Sequence, residues 1–210
     1  MTTLSAMEQT PPPPPDHAWA RWVSDVISPP VVWVVVSLVV ALAFSDSLPE
    51  ALYWAGLYSL FVCIVPVMFI FYSVHTGEIG DIHMQYRHER YKPLFVTIVA
   101  NFLALGLLYA QGAPVAMKLL ATMSLIEVAI ISIITLYWQI SMHAMAITGA
   151  SMALGLLLSI TLGLLLIPII LLVGAARLRL DRHTPMQVFA GAMVGALAPV
   201  GLFVLAVLLL

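Results

Sequence analysis

The sequence predicts an all-α fold, a polytopic membrane helix bundle of six to seven spans with an amino-terminal interfacial helix, and three observations carry that expectation. Hydrophobic side chains make up 62% of the 210 residues and charged ones 9%, with a mean hydropathy of +1.07. Soluble domains run near one half and one quarter. The charges punctuate apolar runs suited to crossing a hydrocarbon core of ~30 Å, which takes ~20 helical residues. One apolar stretch, Met142 to Ala176, is too long for a single crossing and fixes how the other spans alternate.

Taken in order, residues 1–15 end in five consecutive prolines, a composition that builds no core and reads as a disordered arm. No short apolar stretch precedes the prolines, and no small-residue cleavage site follows a basic start, so the arm lacks the pattern of a cleaved signal. From Asp16 to Ser28, Trp19, Trp22, Val23, Val26 and Ile27 recur at helical spacing beside Asp16, Arg21 and Asp25. That pattern is an amphipathic helix lying in the membrane interface, stopped by Pro29-Pro30. The bundle, residues 30–210, then offers spans at Pro30–Phe44, Ala51–Val74, Pro93–Ala110 and Pro114–Trp138. As one helix, residues 142–176 would extend roughly 52 Å at 1.5 Å per residue, beyond one hydrophobic thickness even when tilted. Two short spans turning near Ser159 to Gly163 fit instead, and Pro185–Leu210 completes a count of seven.

The 8 basic and 10 acidic residues leave a net charge of −2, which excludes a nucleic acid held on a basic surface. With seven spans, Arg21, Arg87, Arg90, Lys92, Arg177, Arg179 and Arg182 share the amino-terminal side, and Lys118 lies on the other with Asp46 and Glu50. The positive-inside rule therefore puts the amino terminus of this integral membrane protein in the cytoplasm. The one cysteine, Cys63, excludes a disulfide framework and any metal site built on several thiolates.

Three polar clusters interrupt the apolar background. The first is HTGEIGDIHMQYRHERYKP, His75 to Pro93; the second runs from Trp138 to His143; the third is ARLRLDRHTPMQ, Ala176 to Gln187. Successive clusters are separated by a helical hairpin, so all three are expected on one face of the membrane, where they would converge into a site.

The third cluster places Arg177, five residues, His183, three residues and then Gln187. Here the chain resembles the type 2 phosphatidic acid phosphatase family, whose third motif reads Ser-Arg, five residues, His, three residues, Asp. The family's second motif, Pro-Ser-Gly-His, is similar to Ile140-Ser141-Met142-His143. Its first, Lys, six residues, Arg-Pro, is similar to Gln85 through Lys92-Pro93. The order agrees, and the resemblance spans about residues 75–195. It implies a lipid phosphatase that needs no metal or other cofactor. His183 would be the nucleophile that forms a phosphohistidine, and His143 the acid that protonates the leaving oxygen. Arg177, Lys92 and Ser141 would hold the phosphoryl oxygens. Phosphatidic acid or an isoprenyl diphosphate, presented by the surrounding membrane lipids, is the implied kind of substrate, and the family's membrane enzymes face the periplasm or lumen.

Three of this chain's departures from the pattern bear on the chemistry. Gln187 stands where the family has Asp; a neutral amide can orient the ring of His183 but brings no charge. Gln85 stands in place of the first-motif Lys, with Arg87 or Arg90 as substitutes. Met142 replaces the glycine of the second motif and crowds the backbone there. These departures support a second reading, a non-catalytic member that binds lipid phosphates or serves as a subunit of a larger membrane complex. His75, His83 and His88 are too few and too poorly spaced for a histidine-rich metal site. Glu127, inside a span, is costly unless neutral, paired or facing a cavity; it reads as a proton relay or, preferably, an acid bonded to a neighbouring helix. Methionines such as Met145 and Met152 read as adaptable packing, and Gly191 and Gly195 as a close helix contact within the bundle.

Overall fold

The computed structural model describes residues 17–208 apart from His83 and Gln85. The proline-rich arm, Asp16, His83, Gln85 and the last two residues of the final span lie outside the described residues. Those described form helices joined by short connections, with no strand among them. They are α1 (Ala18–Val26), α2 (Pro29–Phe44), α3 (Leu48–His75), α4 (Arg87–Ala110), α5 (Val115–Thr135), α6 (Met142–Leu157), α7 (Ile160–Arg179) and α8 (Pro185–Leu208).

Local chemistry sets these boundaries. Ser47, Ser141 and Ser159 cap α3, α6 and α7, each hydroxyl accepting a backbone N–H of the first turn: Glu50 (3.4 Å), Ala144 (3.3 Å) and Leu162 (3.3 Å). Pro29 and Pro185 open α2 and α8, where a missing N–H costs nothing. Gly112, at φ +73°, stops α4 in the left-handed region that glycine takes without strain. Inside α3 the ladder widens to a π turn at Leu60–Ile64, just before Pro66, whose ring nitrogen has no proton to give.

Five helices, α3, α4, α5, α7 and α8 to Leu205, are long and apolar enough to cross a membrane, and α1 with α2, bent by 44°, would make a sixth. The chain is thus an all-α polytopic bundle. The expected count of seven exceeds this because α2 and α6 have 16 residues each, about 24 Å of helix, less than a ~30 Å core. For α6 the reason is its position: ten of its 16 residues are buried, so protein sheathes most of its length. The long stretch divides where expected, at Leu158-Ser159, and the Ser151 hydroxyl donates to the Gly163 carbonyl across the turn at 2.7 Å.

The central contact is α6 against α8. A side chain at Gly191 would collide with the Ser141 carbonyl, and one at Gly195 with the Met145 carbonyl and the Gly149 amide. The small-residue pair serves intramolecular packing, as the sequence suggests. Outward, Phe95, Phe102 and Leu171 are more than half exposed, which suits a hydrocarbon surround. The described parts of connections 76–82, 136–141 and 180–184 gather on one face. Arg87 donates to the Tyr137 carbonyl at 2.7 Å, Arg182 approaches Asp81 at 3.8 Å, and the Ser141 amide donates to the Gln187 carbonyl at 3.0 Å. Tyr53 and Gln111 are joined by a hydrogen bond on the opposite face. The three polar clusters therefore converge.

Candidate functional site: a cationic constriction between two cavities

The turn from α7 to α8 supplies the centre of the site. Helix α7 ends just beyond Arg177, which is 3% exposed, and Asp181 takes a left-handed conformation at φ +51°, one that Asp tolerates better than most side chains. His183 follows, 8% exposed. Helix α8 then starts with a reciprocal cap: the Gln187 amide N–H donates to Thr184 Oγ1 (3.3 Å), and the Thr184 N–H donates to Gln187 Oε1 (2.9 Å). The same Oε1 stands 3.4 Å from His183 Nδ1. Because that oxygen only accepts, the ring meets it with an Nδ1–H, which leaves Nε2 of the neutral imidazole with its lone pair.

Arg90, 4% exposed, enters from the first turn of α4. Its Nε donates to the Met84 carbonyl at 3.2 Å, and Gln139, with its amide oxygen turned to the guanidinium, accepts from Nη2 at 2.7 Å. Arg177 Nη1 donates to the Ser24 hydroxyl of α1 at 2.7 Å, Asp25 adds a favourable charge interaction, and the buried Arg177 Nε has no acceptor among the described residues. His143, at the start of α6, donates from Nε2 to the Ser24 carbonyl at 3.1 Å; a carbonyl can only accept, so this bond sets the tautomer. Burial, then Arg177 and Arg90, pull the pKa of His183 down to about 4 against the opposing bond from Gln187, so the ring is neutral near pH 7.

Two cavities meet at these side chains. One, about 400 Å³, runs into the bundle between α3, α4, α5 and α6 with mostly apolar walls, and His143 lies at its outer end. The other, about 620 Å³, is an open polar vestibule lined by Gln139, Asp181, Arg182 and Thr184. Arg90, Arg177 and His183 line both. A group passing from one space to the other meets two guanidinium groups and one imidazole, a set that recognises phosphate oxygens.

Of the residues singled out in the sequence, His183, Gln187, Arg177 and Arg90 come together, and His143 faces the apolar side. Three others sit elsewhere. Lys92 is exposed and paired with Glu78 at 2.9 Å. Arg87 is spent on the Tyr137 carbonyl. Ser141 is fully buried, its hydroxyl engaged as the α6 cap, and it lines neither cavity. Sequence reasoning missed Ser24 and Asp25. The trace was there: Ala20, Val23, Ser24 and Ile27 form one stripe of α1, and a serine on an apolar stripe asks for a partner. Among the described residues no three His, Cys, Asp or Glu side chains gather as a metal site would require. Compared with protein families, curated proteins and solved structures, the chain matches none.

Proposed function

We propose that this chain is a membrane phosphatase acting on a lipid phosphate or diphosphate through a phosphohistidine at His183. The observation that carries the reading is the sharing of Arg90, Arg177 and His183 by an apolar cavity and a polar vestibule. An amphiphile with an anionic head fits that arrangement: its tail lies between helices while its phosphate rests at the constriction, and the freed inorganic product leaves through the vestibule. The unpartnered Arg177 Nε has a donor to give such a head group.

In this mechanism Nε2 of the neutral His183 forms a bond to phosphorus as the phosphorus–oxygen bond to the lipid breaks. His143 enters as the imidazolium and gives its Nδ1 proton to the departing oxygen while its Nε2–H stays on the Ser24 carbonyl; water then attacks phosphorus as the bond to His183 breaks, and His143 Nδ1 takes the water's proton. Arg90 and Arg177 hold the phosphoryl oxygens throughout, where charge builds in the transition state. The resemblance to the type 2 phosphatidic acid phosphatases supports these roles, with Arg90 taking the part that the motif gave to Lys92.

A second reading, lipid-phosphate binding without turnover, is favoured by one specific feature. Gln187 is neutral, so nothing on its side of the ring offsets the positive charge that His183 acquires on phosphorylation. Phosphate release from a panel of lipid phosphates and diphosphates, measured with chelator present, separates the two. Release that is abolished in His183→Ala and raised in Gln187→Asp is the expected result. No release from any lipid, even with Gln187→Asp, would reject the enzyme and leave the binding protein.

A further inference from the structure

The apolar cavity has a polar floor. Its inner wall carries Asn101 of α4 with Ser124 and Glu127 of α5. Glu127 is eight residues before Thr135, about 12 Å inward from the site-face end of α5. Asn101 is eleven residues beyond Arg90, about 16 Å inward along α4. The floor lies near the middle of α5, far from the constriction.

Two of its three polar side chains are occupied. Asn101 Nδ2 donates to the Thr97 carbonyl at 2.9 Å, and the Ser124 hydroxyl donates to Asn101 Oδ1 at 3.0 Å. Glu127 differs: it is 1% exposed, and both of its carboxyl oxygens are buried without a hydrogen-bond partner among the described residues. The bond to a neighbouring helix that the sequence suggested is not made. Instead the carboxyl rests against Gly149 of α6, where any side chain would collide with it, so α6 leaves room for this group. A buried polar group without a partner costs roughly 1–3 kcal/mol, and an acid inside a span characteristically faces a cavity with a functional occupant.

We infer that Glu127 is a second recognition point, which binds a hydroxyl group on the tail of the ligand whose phosphate sits at the constriction. A buried carboxyl group with neither oxygen engaged calls for a hydrogen-bonding partner. A hydroxyl provides one without carrying a charge into an apolar-walled space, which disfavours an ammonium group. Carbon–carbon bonds of ~1.5 Å advance an extended chain by about 1.25 Å per carbon, so a span of about 12–16 Å places the hydroxyl roughly ten to thirteen carbons from the phosphate. The substrate class is then a two-ended amphiphile, a lipid phosphate with a polar group part-way along or at the end of its chain.

The inference rests on the phosphate reading of the constriction, and its test keeps the two apart. Binding of decyl phosphate and 10-hydroxydecyl phosphate to the purified full chain would be measured beside the uncharged pair decanol and 1,10-decanediol. The wild-type preference for the hydroxylated member of each pair should exceed that of Glu127→Leu by about tenfold. Glu127→Gln, which keeps an acceptor of the same shape, should retain most of it and guards against misfolding of the leucine variant. Equal preference in wild type and Glu127→Leu would overturn the inference, as would no preference in either pair. Failure of both phosphates to bind, with a Glu127-dependent preference for the diol, would reject the phosphate reading and uphold the floor.

Discussion

At the scale of single residues, Gln187 does two jobs with one oxygen. It closes the cap of α8 through Thr184 and faces Nδ1 of His183. Thr184-Pro185-Met186-Gln187 has the spacing of a capping box, so the glutamine has a structural reason to be there beside whatever it lends to chemistry. Gln187→Glu keeps that spacing and adds a carboxylate beside the ring. It should leave the melting temperature near wild type, whereas Gln187→Ala should cost about 1 kcal/mol; thermal unfolding in detergent compares them. The pH dependence of stability follows from His183. Its folded pKa of about 4 lies below the unfolded value of ~6.5, so between those values the unfolded chain binds more protons than the folded one. Stability from this group is complete above pH ~6.5 and is lost as pH falls towards ~4. Melting curves over that range should therefore fall less steeply for His183→Gln than for wild type, and parallel curves would contradict the buried neutral ring.

At the scale of helices, the reading from sequence succeeded where hydropathy and punctuation act alone. The break at Ser159 was legible because no single helix of that length fits a bilayer, and the Gly191–Gly195 contact because glycines four apart line one helix face. Other features depended on partners distant in sequence. Nothing local announces that Ser24 of α1 meets both Arg177 and His143, more than a hundred residues away. Likewise Lys92 and Arg90 are two residues apart, and only the turn that opens α4 decides that Arg90 points inward while Lys92 pairs with Glu78 in solvent. The packing of α8 on α6 is open to a direct test. Gly195→Leu drives a side chain into the backbone of Met145 and Gly149, which cannot rotate aside, whereas Gly201, later on the same helix, has open space around it. Gly195→Leu should lose 1–3 kcal/mol or more, about what overpacking costs. Gly201→Leu should melt close to wild type.

At the scale of the whole molecule, the distribution of charge bears on which way the site faces. Seven of the 8 basic residues share one face, but charges retained for chemistry report orientation poorly. The structure separates the two kinds. Arg90 and Arg177 are buried at the constriction, whereas Arg21, Arg87, Lys92, Arg179 and Arg182 are exposed, against Lys118 alone on the far face. The positive-inside bias survives removal of the buried pair and predicts that the site faces the cytoplasm, opposite to the side expected from the phosphatase resemblance. Arg87→Cys and Asp46→Cys put one exposed thiol on each face, and the native Cys63 is 2% exposed and should contribute little background. With a membrane-impermeant maleimide applied to intact cells, Asp46→Cys should react and Arg87→Cys should react only after the membrane is opened. The reverse pattern would turn the site outward and favour the topology of the resembled family. Reaction of both from one side would break the alternation of hairpins on which the convergence of the three clusters depends.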